Sequence, residues 1–178
     1  DVYNRTTKDL LWEYAVSTPP YLYNTIVANA ASMENRGIEI QLNAVPVSTD
    51  AFHWNTSINF STNKNKLLTF SNDKFQLASG YSDEGETGEP IQQRTHRVQV
   101  GEPIGNFYGY KTVDIDANGH WIIESRDGKP KPIADQTADD KKILGNGLPK
   151  HYLAFNNTFQ YKNLDLTKAQ HVVLSYSR

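Results

Sequence analysis

The sequence has 178 residues, 38% of them hydrophobic, a formal net charge of -2 and no cysteine. It contains no run of about 18 apolar residues, which excludes a membrane protein built from apolar helices. The missing cysteines exclude disulfides, thiolate metal sites and a cysteine nucleophile, and the near-neutral charge lacks the basic patch that nucleic-acid binding uses. A β-barrel stays open, because its strands are apolar only at every second position.

The chain starts with "DVYNRTTKDLLWEY". It has no basic region followed by an apolar stretch, so no signal peptide is read here. The start resembles the inside of a strand, and the sequence is expected to be cut from something longer. "MENRGIEIQLN" then alternates Ile38, Ile40 and Leu42 with Glu39, Gln41 and Asn43. A period of two predicts a strand with one apolar and one polar face. Pro46 to Asp50 reads as a short break. "FHWNTSINFST" alternates again, with Phe52, Trp54, Thr56, Ile58 and Phe60 on one face and His53, Asn55, Ser57, Asn59 and Ser61 on the other. Two such runs joined by a short turn predict an antiparallel hairpin over Arg36 to Thr62. About ten residues is also the length a tilted strand needs to cross a bilayer. The pattern alone fits a soluble sandwich and an outer-membrane barrel equally.

From about Asn63 to Lys150 the composition changes. Residues 79–90, "SGYSDEGETGEP", read as an exposed loop. "GNFYGYKTVDI" and "HWIIES" read as short strands around the turn "DANG". "DQTADDKKIL" is the best helix candidate, of one to two turns, with Asp135 as N-cap. A connection of roughly 85 residues is too long to be structureless. "HYLAFNNTFQYKNLDLT" restores the alternation through Leu153, Phe155, Phe159 and Tyr161, with a tight turn at Lys162-Asn163.

No catalytic constellation emerges. The histidines are scattered without zinc spacing. "GEPIGNFYG" lacks the strand, spacing and helix of a dinucleotide fingerprint. The acid pairs Asp83/Glu84 and Asp139/Asp140 lie in polar runs that read as solvated faces rather than glycosidase carboxylates. "DIDANGHWII" places Asp114, Asp116 and Asn118 at calcium-loop positions. The twelfth position is Ser125 rather than glutamate, so a β-turn is the leading reading and a weak metal site the other. The "NRT", "NTS", "NFS" and "NNT" sequons are treated as chance. No cofactor is expected.

"YNRTTKDLLW", "NAASMENRGIEIQLNAVP", "FHWNTSINFSTNKNKLL", "VGEPIGNFYGYK" and "ILGNGLPKHYLAFNNTFQYKNLDL" together resemble the C-terminal part of SusC/RagA-type TonB-linked outer-membrane proteins of Bacteroidetes, over residues 1–167. The resemblance implies a mainly β fold, with antiparallel β-hairpins from part of a roughly 22-stranded outer-membrane β-barrel and a large extracellular loop region carrying a short helix. It divides the chain into a barrel hairpin at about 34–62, an extracellular excursion at about 63–150, a second barrel hairpin at about 151–167 and an atypical tail at 168–178. It implies a TonB-dependent transporter of the cell outer membrane that takes up a nutrient, a glycan or oligosaccharide, without enzymatic role. The implied partners are a SusD-like surface lipoprotein, the TonB complex through the parent's N-terminal parts, and a glycan or peptide nutrient. Loop aromatics Trp12, Tyr14, Tyr108, Tyr110 and Trp121 become candidate ligand contacts, although local packing and interfacial girdles use the same residues.

The sequence departs from the family in lacking a signal peptide, plug and most of the barrel. "KAQHVVLSYSR" does not read as the family's continuation. About five strands cannot close a barrel, so the chain alone is not expected to transport. It would have to cover its apolar faces by self-association or by packing on its loop region. The alternative class is a free-standing soluble β-sandwich carbohydrate-binding module. A hydrolase is a weaker third option.

Overall fold

The structure, a computed structural model, describes residues 1–74, 77 and 79–174. Strands dominate: β1 (Val2–Ala15), β2 (Thr25–Ser48), β3 (Phe52–Thr69), β4 (Tyr81–Glu86), β5 (Arg94–Gln99), β6 (Asn106–Gly109), β7 (Thr112–Ile115), β8 (Trp121–Glu124), β9 (Pro130–Pro132), β10 (Lys142–Asn146), β11 (His151–Tyr161) and β12 (Leu164–Leu174). Among the described residues they form three sheets, ordered β1-β2-β3-β11-β12, β10-β6-β5-β4 and β7-β8-β9. The expected mainly β organisation is present. Contacts divide the described residues into two compact units, one of residues 1–7, 34–65 and 148–174, the other of residues 8–33 and 66–147.

In the first unit, β11 pairs antiparallel with β3 and with β12 over its full length without a register shift. Side chains alternate between faces, so unbroken register aligns them in rows across three strands. One face carries the rows Phe52/Tyr161/Leu164, Trp54/Phe159/Leu166, Thr56/Asn157/Lys168, Ile58/Phe155/Gln170 and Phe60/Leu153/Val172. The other carries His53, Asn55, Ser57, Asn59 and Ser61 opposite Gln160, Thr158, Asn156, Ala154 and Tyr152. The β11–β12 turn is Lys162-Asn163, as expected, with Lys162 at φ 52°. Pairing continues past Thr167 to Leu174, opposite His151.

The β2–β3 turn differs from expectation. Pro46, Val47 and Ser48 belong to β2, and the turn is Thr49–Ala51. The Thr49 amide donates to the Phe52 carbonyl at 2.8 Å, and the Phe52 amide returns a bond to Thr49 Oγ1 at 3.0 Å. A hydroxyl thus closes the turn where a proline break was expected.

The second unit has a small core. Tyr14, Ala28 and Ala30 form one buried cluster, and Ala31, Leu67 and Phe70 another. Alanines in β2 let larger side chains close over that strand. The Trp12 ring lies 4.8 Å from that of Phe70. The expected helix is absent. Two single 3-10 turns, Ile133–Asp135 and Ala138–Asp140, lead into β10. Thr137, not Asp135, is the N-cap, in a capping box with Asp140. Lys141 then turns extended, at ψ 141°, so Lys142 to Asn146 can pair with β6. Sheet pairing overrides the local helix preference.

Gly37, buried in β2 of the first unit, is a close-approach position. An added Cβ would overlap the Thr62 carbonyl oxygen and the Tyr3 phenol, whose hydroxyl donates to Asn63 Oδ1 at 3.3 Å. A ring laid over a strand glycine restores the packing that glycine lacks. Gly37→Ala is expected to destabilise the chain by about 1–3 kcal/mol through overpacking. It should lower the urea midpoint at unchanged slope. An unchanged midpoint would mean that Tyr3 does not cover this glycine.

Candidate functional site

Two surfaces carry chemistry. The first is the apolar face of the first unit. It is uncovered: Leu164 is 70% exposed, Leu166 62%, Leu42 57% and Ile40 54%. Contiguous apolar exposure of this kind marks an interaction or membrane surface. Aromatic residues gather toward the turn end, where the Phe159 ring stacks on Trp54 at 5.7 Å and on Phe52 at 6.4 Å. The one polar row there is partly closed by the Trp54 indole, which donates to Asn157 Oδ1 at 3.0 Å.

The second surface lies in the second unit, where all five candidate aromatic ligand contacts fall. They do not form one platform. Tyr14 is buried and donates its hydroxyl to the Phe70 carbonyl at 2.7 Å. Trp12 packs beside it in the core. Tyr108 lies 3.6 Å from the Arg97 guanidinium carbon, and Tyr110 lies 5.4 Å from Lys141 Nζ. Trp121 alone is largely open, at 54%, and sits across from Ile115.

The candidate metal residues form a turn. Asp116 Oδ1 accepts the amides of Asn118 and His120 at 2.9 and 2.8 Å, and Oδ2 lies 3.2 Å from His120 Nδ1. These bonds, the His120 amide first, lower the Asp116 pKa. Asp114 Oδ1 caps the amide of Ile115 at 2.8 Å. Among the described residues no group of three or more His, Asp or Glu is placed to hold a metal.

Sequence reading missed what organises this unit. Residues 79–90, expected as a loop, contain β4, paired with β5. Asp83 faces Arg97 across that pair and accepts two bonds, at 2.6 and 2.8 Å. The guanidinium is held between the Tyr81 and Tyr108 rings, at 3.8 and 3.6 Å. A planar guanidinium suits both a bidentate carboxylate and ring stacking, which an ammonium does not. Glu124 of β8 bridges Lys111 at 2.6 Å and Lys142 of β10 at 2.7 Å. These two bonds hold its carboxyl down to about 2. Asp140, 3% exposed, accepts from Lys131 Nζ, the Arg126 amide, the Thr137 amide and the Thr137 hydroxyl. Its carboxyl is held well below the usual carboxylate range, the Lys131 bond contributing most. The only sequence signal was charge of opposite sign at scattered positions, which does not specify partners.

No protein-family profile matches the chain. Curated relatives do. The chain is 30% identical over 179 residues to TonB-dependent receptor P3 of Formosa agariphila, covering 93% of the chain and 17% of the relative. It is 30% identical over 173 residues to TonB-dependent receptor SusC of Bacteroides thetaiotaomicron, covering 94% and 16%. Among solved structures, the RagAB peptide importer in its closed-closed state superposes with a TM-score of 0.75 at 18% identity, over 98% of this chain and 18% of that one. The chain belongs to the SusC/RagA-type TonB-dependent receptors and spans about a sixth of the length of these relatives.

The carboxylate clamps predict an acid response. The Glu124 pKa is depressed from 4.5 to about 2 on folding. Its contribution is therefore fully present above pH 4.5 and lost as pH falls toward 2. Hydrogen exchange of β8 amides should quicken across that window. Glu124→Gln should remove most of the acid dependence and quicken exchange at neutral pH. Identical profiles in both chains would show that the bridge does not secure β8.

Proposed function

We propose that this chain supplies part of the barrel wall and an extracellular excursion of a TonB-dependent outer-membrane nutrient importer. The barrel hairpins are residues of about 34–62 and the β11–β12 pair, and residues of about 63–150 stand outside the membrane. The apolar face of the first unit meets lipid and the polar face lines the lumen. The observation that carries this reading is the in-register segregation of faces, with the apolar one uncovered and its aromatic rows at the turn end, as at a bilayer interface. A soluble sandwich would bury that face. The role is one of transport and binding rather than catalysis. A SusD-like surface lipoprotein and the TonB complex are the partners such receptors call for, and the cargo is a glycan or a peptide. Trp121 is the sequence-read aromatic best exposed for a ligand, and Tyr14 and Trp12 are taken up by packing.

Charge placed on the two faces tests the reading. Ile58→Lys adds a charge to the lipid-facing side and is expected to cost about 2–4 kcal/mol of partitioning into phospholipid vesicles. Ser57→Lys, one residue away on the lumen side, should cost little. Flotation of the chain with vesicles measures both. Equal losses for the two variants would sink the assignment of faces.

A further inference from the structure

The sequence holds two Asn-Gly pairs, Asn118-Gly119 and Asn146-Gly147. Such a pair is prone to rearrange, because glycine has no Cβ to crowd the approach of its backbone nitrogen to the asparagine side chain. The fold treats the two pairs differently. Asn146 ends β10 and stands opposite Asn106 of β6. Its side-chain amide is half-buried and donates to the Ile104 carbonyl and to Asn106 Oδ1, both at 2.8 Å. The Gly147 amide donates to the Gly105 carbonyl at 3.0 Å. The Asn146 side chain reaches its own backbone only after these bonds are broken.

Asn118 is exposed at the tip of the β7–β8 hairpin, and its side chain makes no hydrogen bond with another described residue. Gly119 follows at φ 87°, and a Cβ built on it would meet nothing within 4 Å, so the space beside the Asn118 side chain is open. The Gly119 amide donates to the Asp116 carbonyl at 3.0 Å, and Asp116 Oδ1 accepts the amides of Asn118 and His120. These are local backbone bonds at an exposed tip, where opening costs least. None of them holds the Asn118 side chain.

We infer that Asn118-Gly119 is a site of spontaneous deamidation and that the fold protects the same dipeptide at Asn146-Gly147. The Gly119 nitrogen gives up its proton to solvent and attacks Asn118 Cγ. A bond from Cγ to the backbone nitrogen forms, the bond from Cγ to the side-chain nitrogen breaks, and that nitrogen takes a proton and leaves as ammonia. Water then opens the resulting succinimide at either carbonyl, giving aspartate or isoaspartate with no change in oxidation state. Either product adds a carboxylate to a tip that already carries Asp116, on the hairpin that presents Trp121. Isoaspartate also lengthens the main chain there by one methylene.

The test holds the detergent-solubilised full chain in mildly alkaline buffer and follows it by tryptic digestion and mass spectrometry, against an unincubated sample. Asn118 falls in the peptide Thr112–Arg126 and Asn146 in the peptide Ile143–Lys150. The first should gain the amide-to-acid mass difference and split into aspartate and isoaspartate forms. It should do so at least about tenfold faster than the second, the effect of the two side-chain hydrogen bonds that hold Asn146. In denaturant the gap should close. Asn118→Gln should stop conversion in the first peptide and leave the second unchanged. An Asn118 that converts no faster than Asn146 in the native chain, a gap that persists in denaturant, or conversion of the first peptide in Asn118→Gln would each overturn the inference.

Discussion

Unbroken antiparallel register is the constraint on which the first unit depends. With side chains alternating at a period of two, a one-residue slip would send every apolar group of a strand to the opposite face. Between β3, β11 and β12 no slip occurs over the length of β11. The short turns at Thr49–Ala51 and Lys162-Asn163 set that register at one end, and the rows of like side chains hold it along the strands. The two faces, one mostly apolar and one mostly polar, follow from that single geometric fact. So does Gly37, where two backbones and the Tyr3 ring approach too closely for any side chain.

The second unit is held differently. Its β7–β9 sheet is small and contributes one fully buried apolar side chain, Ile123. With so little area removed from water, the hydrophobic effect cannot fix its position alone. Charge takes over: Glu124 joins β8 to β10 through Lys142, and Asp140 gathers Lys131, the Arg126 amide and Thr137. Each carboxylate receives more than one donor, which is why both resist protonation. The Tyr81–Arg97–Tyr108 stack does the same across β4, β5 and β6. A unit made partly of small sheets gains definition from such directional contacts at a modest cost in apolar surface.

What was legible in the sequence was what repeats. The alternation in Arg36 to Thr62 and in His151 to Tyr161 predicted strands, faces and hairpins, because period two is a property of neighbouring residues. What was not legible depends on partners far along the chain. Tyr81 to Glu86 is acidic, lies in a stretch rich in glycine and serine, and reads as a loop until Arg94 and Arg97 pair with it. "DQTADDKKIL" has helical composition, but Ile143 is claimed by Tyr108 of β6. Tyr14 and Trp12 looked like ligand contacts because composition does not reveal burial. Trp121 was read on the same grounds and is the one of these that stands open.

The Thr56/Asn157/Lys168 row is the one wholly polar row on the apolar face, and its position explains it. It lies two residues beyond the Trp54/Phe159 row, on the side away from the turns. In the orientation proposed above, the aromatic rows mark the bilayer interface and this row falls just inside it, where a lipid-facing lysine costs about 0–1 kcal/mol rather than its value at the midplane. Lys168 can lay its methylenes along Leu166 and return its ammonium to the headgroups. Asn157 has no such reach, and it is the residue that the Trp54 indole bonds. The Trp54 ring thus also satisfies the short polar side chain of the next row. The long polar side chain needs no partner within the chain.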